Sequence, residues 1–184
     1  IPMERLGLDP AREYLVFEFW EKRLHGSFTG SFPPGPLPAR YNSQVFILRE
    51  RLTHPQLVAT SRHITGGGVD LVDVTWVGNV LSGTSTVVAN DPYDLYVTVP
   101  PGYHVSRASC DDGDAAQVVE KPGLVTVSCR PETSAPLRWS VSFDRAPDPG
   151  PRDPVSGPRS LPGLFLIPGP RSPVPARAVP GPRS

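Results

Sequence analysis

The sequence predicts an all-β fold: an antiparallel β-sandwich of roughly 8–10 short strands over residues 1–145, followed by a disordered Pro-rich tail over 146–184. Three observations predict it. The run "LRWSVSF" alternates with period two, so Leu137, Trp139, Val141 and Phe143 point one way while Arg138, Ser140 and Ser142 point the other. That is the pattern of a sheet with one wet face. Glycine, proline, asparagine and aspartate interrupt the apolar runs at short spacing, and these residues supply the special φ values and side-chain caps of turns. No segment holds a 3.6-residue period for ten residues, so nothing argues for a helix. An open barrel is the alternative closure of so many short strands.

The expected strands run as follows. "EYLVFEFW", Glu13 to Trp20, is short, aromatic and β-rich, and "NSQVFILRE", Asn42 to Glu50, is the second. The proline-rich "SFPPGPLPAR" between them reads as a surface connection. Then come "LVATSRHI", "VDLVDVTWV", "STVVAN", "YDLYVTVP", "YHVSRAS", "AQVVE", "LVTVSC" and the alternating run near the end. Turn text lies between them: "GGG" after Thr65, "VGN" before Val80, "NDP" before Tyr93, "PPG" after Val99, "DDGD" after Cys110 and "KPG" before Leu124.

After Arg145 the composition changes. Proline makes up 25 of the 184 residues, and 12 of those follow Phe143; GPRS recurs at Gly157, Gly169 and Gly181. Proline removes the donors that helices and sheets need, and few apolar groups remain to offset chain entropy, so polyproline II character is expected. A ligand for an aromatic groove is the alternative use of such a tail.

Bulk properties exclude some classes. The formal net charge is +0, which gives no electrostatic basis for nucleic-acid or membrane-surface binding. No apolar run reaches the roughly 18 residues that span a bilayer. The opening "IPMERLGLDP" has no starting methionine and reads as the beginning of a fragment. Cys110 and Cys129 do not make a zinc pattern; a disulfide between neighbouring strands and two buried thiols are both open readings.

Most residues that invite chemistry fail a spacing test. Gly83-Thr84-Ser85-Thr86-Val87 lacks the second glycine and the helix of a nucleophile elbow. "TGGGVD" lacks the lysine and helix of a phosphate loop. His54 and His63 could meet only across strands, with no further ligand spaced beside them, so no metal site is expected, and no cofactor. "CDDGDA" carries adjacent acids and an early glycine where a calcium loop needs alternate ones, so a solvated hairpin turn is expected. Asp70 and Asp73 fall on opposite faces of a strand and cannot flank one sugar; Asp91 and Asp94 bracket a turn as capping groups. Trp20, Trp76 and Trp139 each fit a strand, where core packing is the commoner fate; Trp76 is the best surface candidate, beside Asp73 and Thr75.

"EYLVFEFW", "HPQLVATSRHITGGGVDL", "LSGTSTVV" and "DPYDLYVTVPPGYHV" together resemble the segment that follows the catalytic barrel in α-galactosidase-like, or melibiase-like, glycoside hydrolases. The resemblance runs from about Leu8 to Phe143 and stops before the tail. It implies the C-terminal antiparallel sandwich that packs on and stabilises a catalytic (β/α)₈ barrel. Nothing here resembles that barrel, so no catalytic residue carries over, and no activity is expected from this chain alone. The implied partner is the barrel, with interdomain contact expected at Arg62, His63 and Trp20. The alternative is a carbohydrate-binding module using Trp76 and Tyr93 as exposed aromatics. The "HPQLVATSRHITGGGVDL" stretch, His54 to Leu71, reads as two strands around a glycine turn. Pro55 biases His54 towards extended backbone, and Gly66 to Gly68 permit a sharp reversal.

Overall fold

A computed structural model describes residues 1–37, 39–110 and 114–145, with the side chains of 114 and 115 set aside. The described residues are all-β, with a single 3-10 turn at Met3–Leu6 and no α-helix. The proline-rich tail and residues 111–113 of the hairpin turn expected at "CDDGDA" lie outside the described residues.

The strands form three antiparallel sheets in a sandwich-like arrangement. β1 (Glu13–Glu18), β2 (Arg23–Thr29) and β3 (Phe46–Glu50) make a three-stranded sheet in the order β2-β1-β3. β4 (Gln56–Thr60), β7 (Tyr93–Thr98), β10 (Gln117–Lys121) and β11 (Leu124–Cys129) make the second, in the order β10-β11-β7-β4. β5 (Leu71–Val77), β6 (Val80–Thr86), β8 (Tyr103–Cys110), β9 (Asp114–Ala115) and β12 (Pro136–Arg145) make the third, in the order β5-β6-β12-β8-β9.

The main core lies between the four- and five-stranded sheets. Leu137, Trp139, Val141 and Phe143 of β12 are all buried there, as their alternation predicts, together with Leu95 and Val97 of β7 and Val125 and Val127 of β11. Burying one such side chain contributes on the order of 1.5–3 kcal/mol. The three-stranded sheet covers part of the opposite face of the four-stranded one: Leu15, Phe17 and Phe19 meet Val58, Ala59, Tyr96 and Leu124. On its far face Tyr14 and Val16 pack on Met3 and Phe32. β1 is therefore buried on both faces, which explains a continuous apolar run where a half-wet strand would alternate. Glu18, in that run, is fully buried and accepts the backbone N–H groups of Glu21 and Val45.

Several boundaries differ from expectation. Twelve strands occur among the described residues, against the expected eight to ten. β2 was not anticipated, because "RLHGSFT" mixes charge, glycine and apolar groups at half-buried positions. β9 is only two residues long. The strand expected over "STVVAN" lies earlier, at Val80–Thr86, joined to β5 by a tight turn at Gly78 and Asn79, both at positive φ. β4 stops at Thr60, so Arg62 and His63 belong to a loop.

Cys110 and Cys129 form a disulfide with a Cα–Cα separation of 5.8 Å. β8 and β11 belong to different sheets, so the bond staples the two layers together, beside Trp139, the register partner of Cys110.

Candidate functional site

The strongest candidate in the sequence is the segment from His54 to Leu71. Its two strands are not a hairpin: β4 belongs to the four-stranded sheet and β5 to the five-stranded one, so the glycine loop carries the chain from one layer to the other. Gly66 and Gly67 have φ of 60° and 107°. A Cβ on either would come within 2.3 Å of a methyl carbon, of Ile47 in the first case and Leu71 in the second. These glycines therefore serve both the reversal and the close approach of backbone to core. Arg49 ties the loop down, donating to the carbonyls of Gly66 and Val58 at 3.1 and 3.4 Å.

The arginine and histidines of the segment have partners, and Asp70 is engaged through Oδ2 alone, its Oδ1 being buried without a hydrogen-bond partner. Arg62 is paired with Asp91 across the loop. His63 is exposed, and its Nδ1 lies 3.2 Å from the Thr65 hydroxyl. His54 stacks on Trp76, with ring centroids 4.7 Å apart and planes 7° from parallel. The two histidines thus have separate partners. Among the described residues no group of three or more His, Cys, Asp or Glu side chains could hold a metal ion.

Asp70 is the functional-looking residue with the most unusual surroundings. It is buried, and its Oδ2 accepts the hydroxyls of Thr60 and Tyr93, both at 2.7 Å. Ser85 Oγ lies 2.8 Å from the Tyr93 hydroxyl and accepts Trp139 Nε1 at 3.0 Å. A phenol has one proton; giving it to Asp70 leaves the Ser85 hydroxyl to donate to Tyr93. The result is a directional chain from Trp139 through Ser85 and Tyr93 to Asp70, strengthened by the low local dielectric. Burial raises the Tyr93 phenol above its ordinary pKa, and Asp70 adds to the rise. This is a structural network that ties the glycine loop to β4, β6, β7 and β12. Tyr93→Phe is expected to destabilise the chain by about 1.5 kcal/mol, because Asp70 loses a donor in a buried site. Urea unfolding of Tyr93→Phe, Ser85→Ala and the double variant measures it; additive effects would refute the chain of bonds.

The structure corrects the expectation that Tyr93 is an exposed aromatic: it is 1% exposed and offers no ring face to a ligand. The neighbouring run "YDLYVT" is buried on both sides because β7 lies between two sheets, which local sequence does not disclose. Trp76 is half-buried, with His54 on it and Tyr103 and Phe143 against it at 6.0 and 5.7 Å. Trp20 is half-buried too, stacked on Tyr41 at 5.8 Å with Arg40 beyond the Tyr41 ring. Asp91 and Asp94 have different roles. Asp91 pairs with Arg62, whereas Asp94 sits within β7 and accepts Ser128 and Tyr96 at 2.6 and 3.3 Å.

Lys22 was not singled out by the sequence. It occupies the β1–β2 turn at φ 53°, with its ammonium 4.0 Å from the Phe19 ring centroid. Burial lowers its pKa, opposed by the charges of Asp94 and Glu18. Its only sequence signal is the rarity of lysine in this chain.

Two clefts lie among the described residues. One cleft, of about 190 Å³, opens between Leu24, Ser27, Arg51, Gln56 and Pro100. A second, of about 550 Å³, lies beside it, between Tyr103, His104, Glu120 and Lys121. Neither contains Trp20, Arg62, His63, Trp76 or Tyr93, and neither brings two carboxylates face to face as glycoside hydrolysis requires. No helix among the described residues is long and apolar enough to cross a membrane.

No protein-family model matches the chain, and neither a curated protein nor a solved structure matches it.

Proposed function

We propose that this chain is the non-catalytic C-terminal β-sandwich of an α-galactosidase-like glycoside hydrolase, acting in carbohydrate metabolism by packing on and stabilising a catalytic (β/α)₈ barrel that the chain itself lacks. The observation that carries the reading is the state of the His54–Leu71 motif. One oxygen of its carboxylate, its guanidinium and its imidazoles are engaged by Thr60 and Tyr93, by Asp91, by Trp76 and by Thr65, which is the behaviour of a strand-to-strand joint and not of an acid–base pair. The all-β fold over the whole region of resemblance agrees with it.

Arg62, His63 and Trp20 remain the proposed contacts with the barrel, since Arg62 and His63 are exposed in a loop and Trp20 is half-buried in a turn. Because His63 makes only local contacts, His63→Ala is expected to change the stability of the chain alone by less than about 0.5 kcal/mol. The effect on docking to the barrel should be larger.

Two measurements test the reading. The open reading frame upstream of Ile1 should encode a barrel of about 250 residues; a stop codon directly before it overturns the proposal. The chain alone should leave an aryl α-galactoside unhydrolysed, and turnover above a clean blank would equally overturn it.

A further inference from the structure

Every open sheet is a template for another strand, and proteins blunt their edges with charge, proline, brevity or a cover. The edges of this molecule can be compared one by one. β2 carries Arg23 and His25, β3 carries Arg49 and Glu50, and β10 carries Glu120 and Lys121. β9 has two residues. β4 is uncharged but covered, buried at four of its five positions, with Arg49 donating to its Val58 carbonyl.

β5 is the least protected of these edges: among the described residues it has neither proline, brevity nor a cover. Its sequence, LVDVTWV, holds a single charge, Asp73, and no proline. Its neighbour β6 occupies only one side of it, and its exposed positions include Val72 at 65%, Val74 at 42% and Val77 at 73%. Ile64 and Val69, just upstream, are exposed as well. A large share of the exposed bulky apolar side chains of the described residues therefore falls in one short stretch, as expected of a surface that meets a partner.

We infer that the outer edge of β5 pairs antiparallel with β5 of a second copy of this chain, making one continuous sheet across a two-fold axis. The bulge between Leu71 and Asp73 leaves Asp73–Val77 as the regular part of the strand. An antiparallel two-fold centred on Thr75 sets Thr75 against its own copy, Val74 against Trp76 and Asp73 against Val77. Thr–Thr and aromatic–β-branched pairs are among the favourable cross-strand combinations. The only charge in the strand never meets itself, and a net charge of +0 puts no long-range repulsion between copies. The strand is thus self-complementary, as an isologous interface requires. This inference does not rest on the glycosidase reading.

Sedimentation velocity on the full chain, from about 5 to about 500 µM, tests it. The expected result is a concentration-dependent dimer. Thr75→Lys places like charges opposite each other and should raise the dissociation constant by about tenfold or more, whereas Val119→Lys on β10 should leave it unchanged. Thr75→Cys should cross-link to its own copy under mild oxidation, and Val119→Cys should not. Thr75 is exposed, so these changes spare the core; hydrogen exchange of the unmodified chain, with Asp73–Val77 slower at high concentration, makes the test independent of any variant. A monomer throughout the range overturns the inference. So does a dimer indifferent to Thr75→Lys, or slowed exchange of β5 that appears only when an upstream domain is attached.

Discussion

Gly83→Ala is expected to destabilise the chain by about 3 kcal/mol. Gly83 lies in the middle of β6, paired with Val74 on one side and Trp139 on the other. A Cβ there would lie 2.4 Å from the Asp73 carbonyl oxygen and 2.6 Å from Trp139 Cζ2. Neither neighbour yields easily. The carbonyl is main chain in a bulged strand, and the indole is 3% exposed and tied through Nε1 to Ser85. Interiors packed to crystal density transmit such a displacement instead of absorbing it. Ser82→Ala, on the same strand, loses only an exposed bond to Thr75 and should change stability by less than about 0.5 kcal/mol. Urea midpoints for the two variants decide the matter; equal midpoints would refute the close packing of β5, β6 and Trp139.

Removing the Cys110–Cys129 disulfide is the second large effect. The two cysteines are separated by 19 positions, and closing a loop of about that length restricts the unfolded chain by about 3 kcal/mol. The bond also joins β8 to β11 across the core, so its loss frees the two layers as well as the loop. Cys110→Ala/Cys129→Ala, and the native chain under a reductant, should both unfold at lower urea by a comparable amount. Thiol titration of the unreduced, denatured chain should find no free thiol. Two titratable thiols would show that the cysteines do not pair, and an unchanged midpoint would show that the staple contributes nothing.

The same pair shows where sequence reasoning runs out. A disulfide and two buried thiols were equally open readings, since residues 19 apart can lie on one sheet, on two sheets or far apart. Only the assembly of β8 and β11 into opposing layers brings the sulfur atoms together. The Gly83 text has no second glycine at the spacing of a nucleophile elbow, so its pattern points to no use for the glycine. The reason for a glycine there was invisible, because it is the approach of a tryptophan 56 positions later.

The strands and turns themselves were legible. β12 shows its buried face directly, since period two is a property of one strand alone and needs no partner to read. The "VGN" and "PPG" turns were marked by residues that tolerate positive φ or preset it. β2 was hidden, its composition being set by half-buried positions at a sheet edge.

The sequence by itself determined an all-β chain, most of its turns and the change of composition after Arg145. Tertiary structure alone decided that β4 and β5 belong to different sheets, that β1 and β7 are covered on both faces, that Tyr93 is interior, and that Asp70 is held by Thr60 and Tyr93. The physical reason is range. Backbone preference and alternation act over two to seven neighbouring residues. Which strands share a layer, and what covers their second face, depends on contacts between residues distant in the chain, and those leave no periodic mark on any one segment.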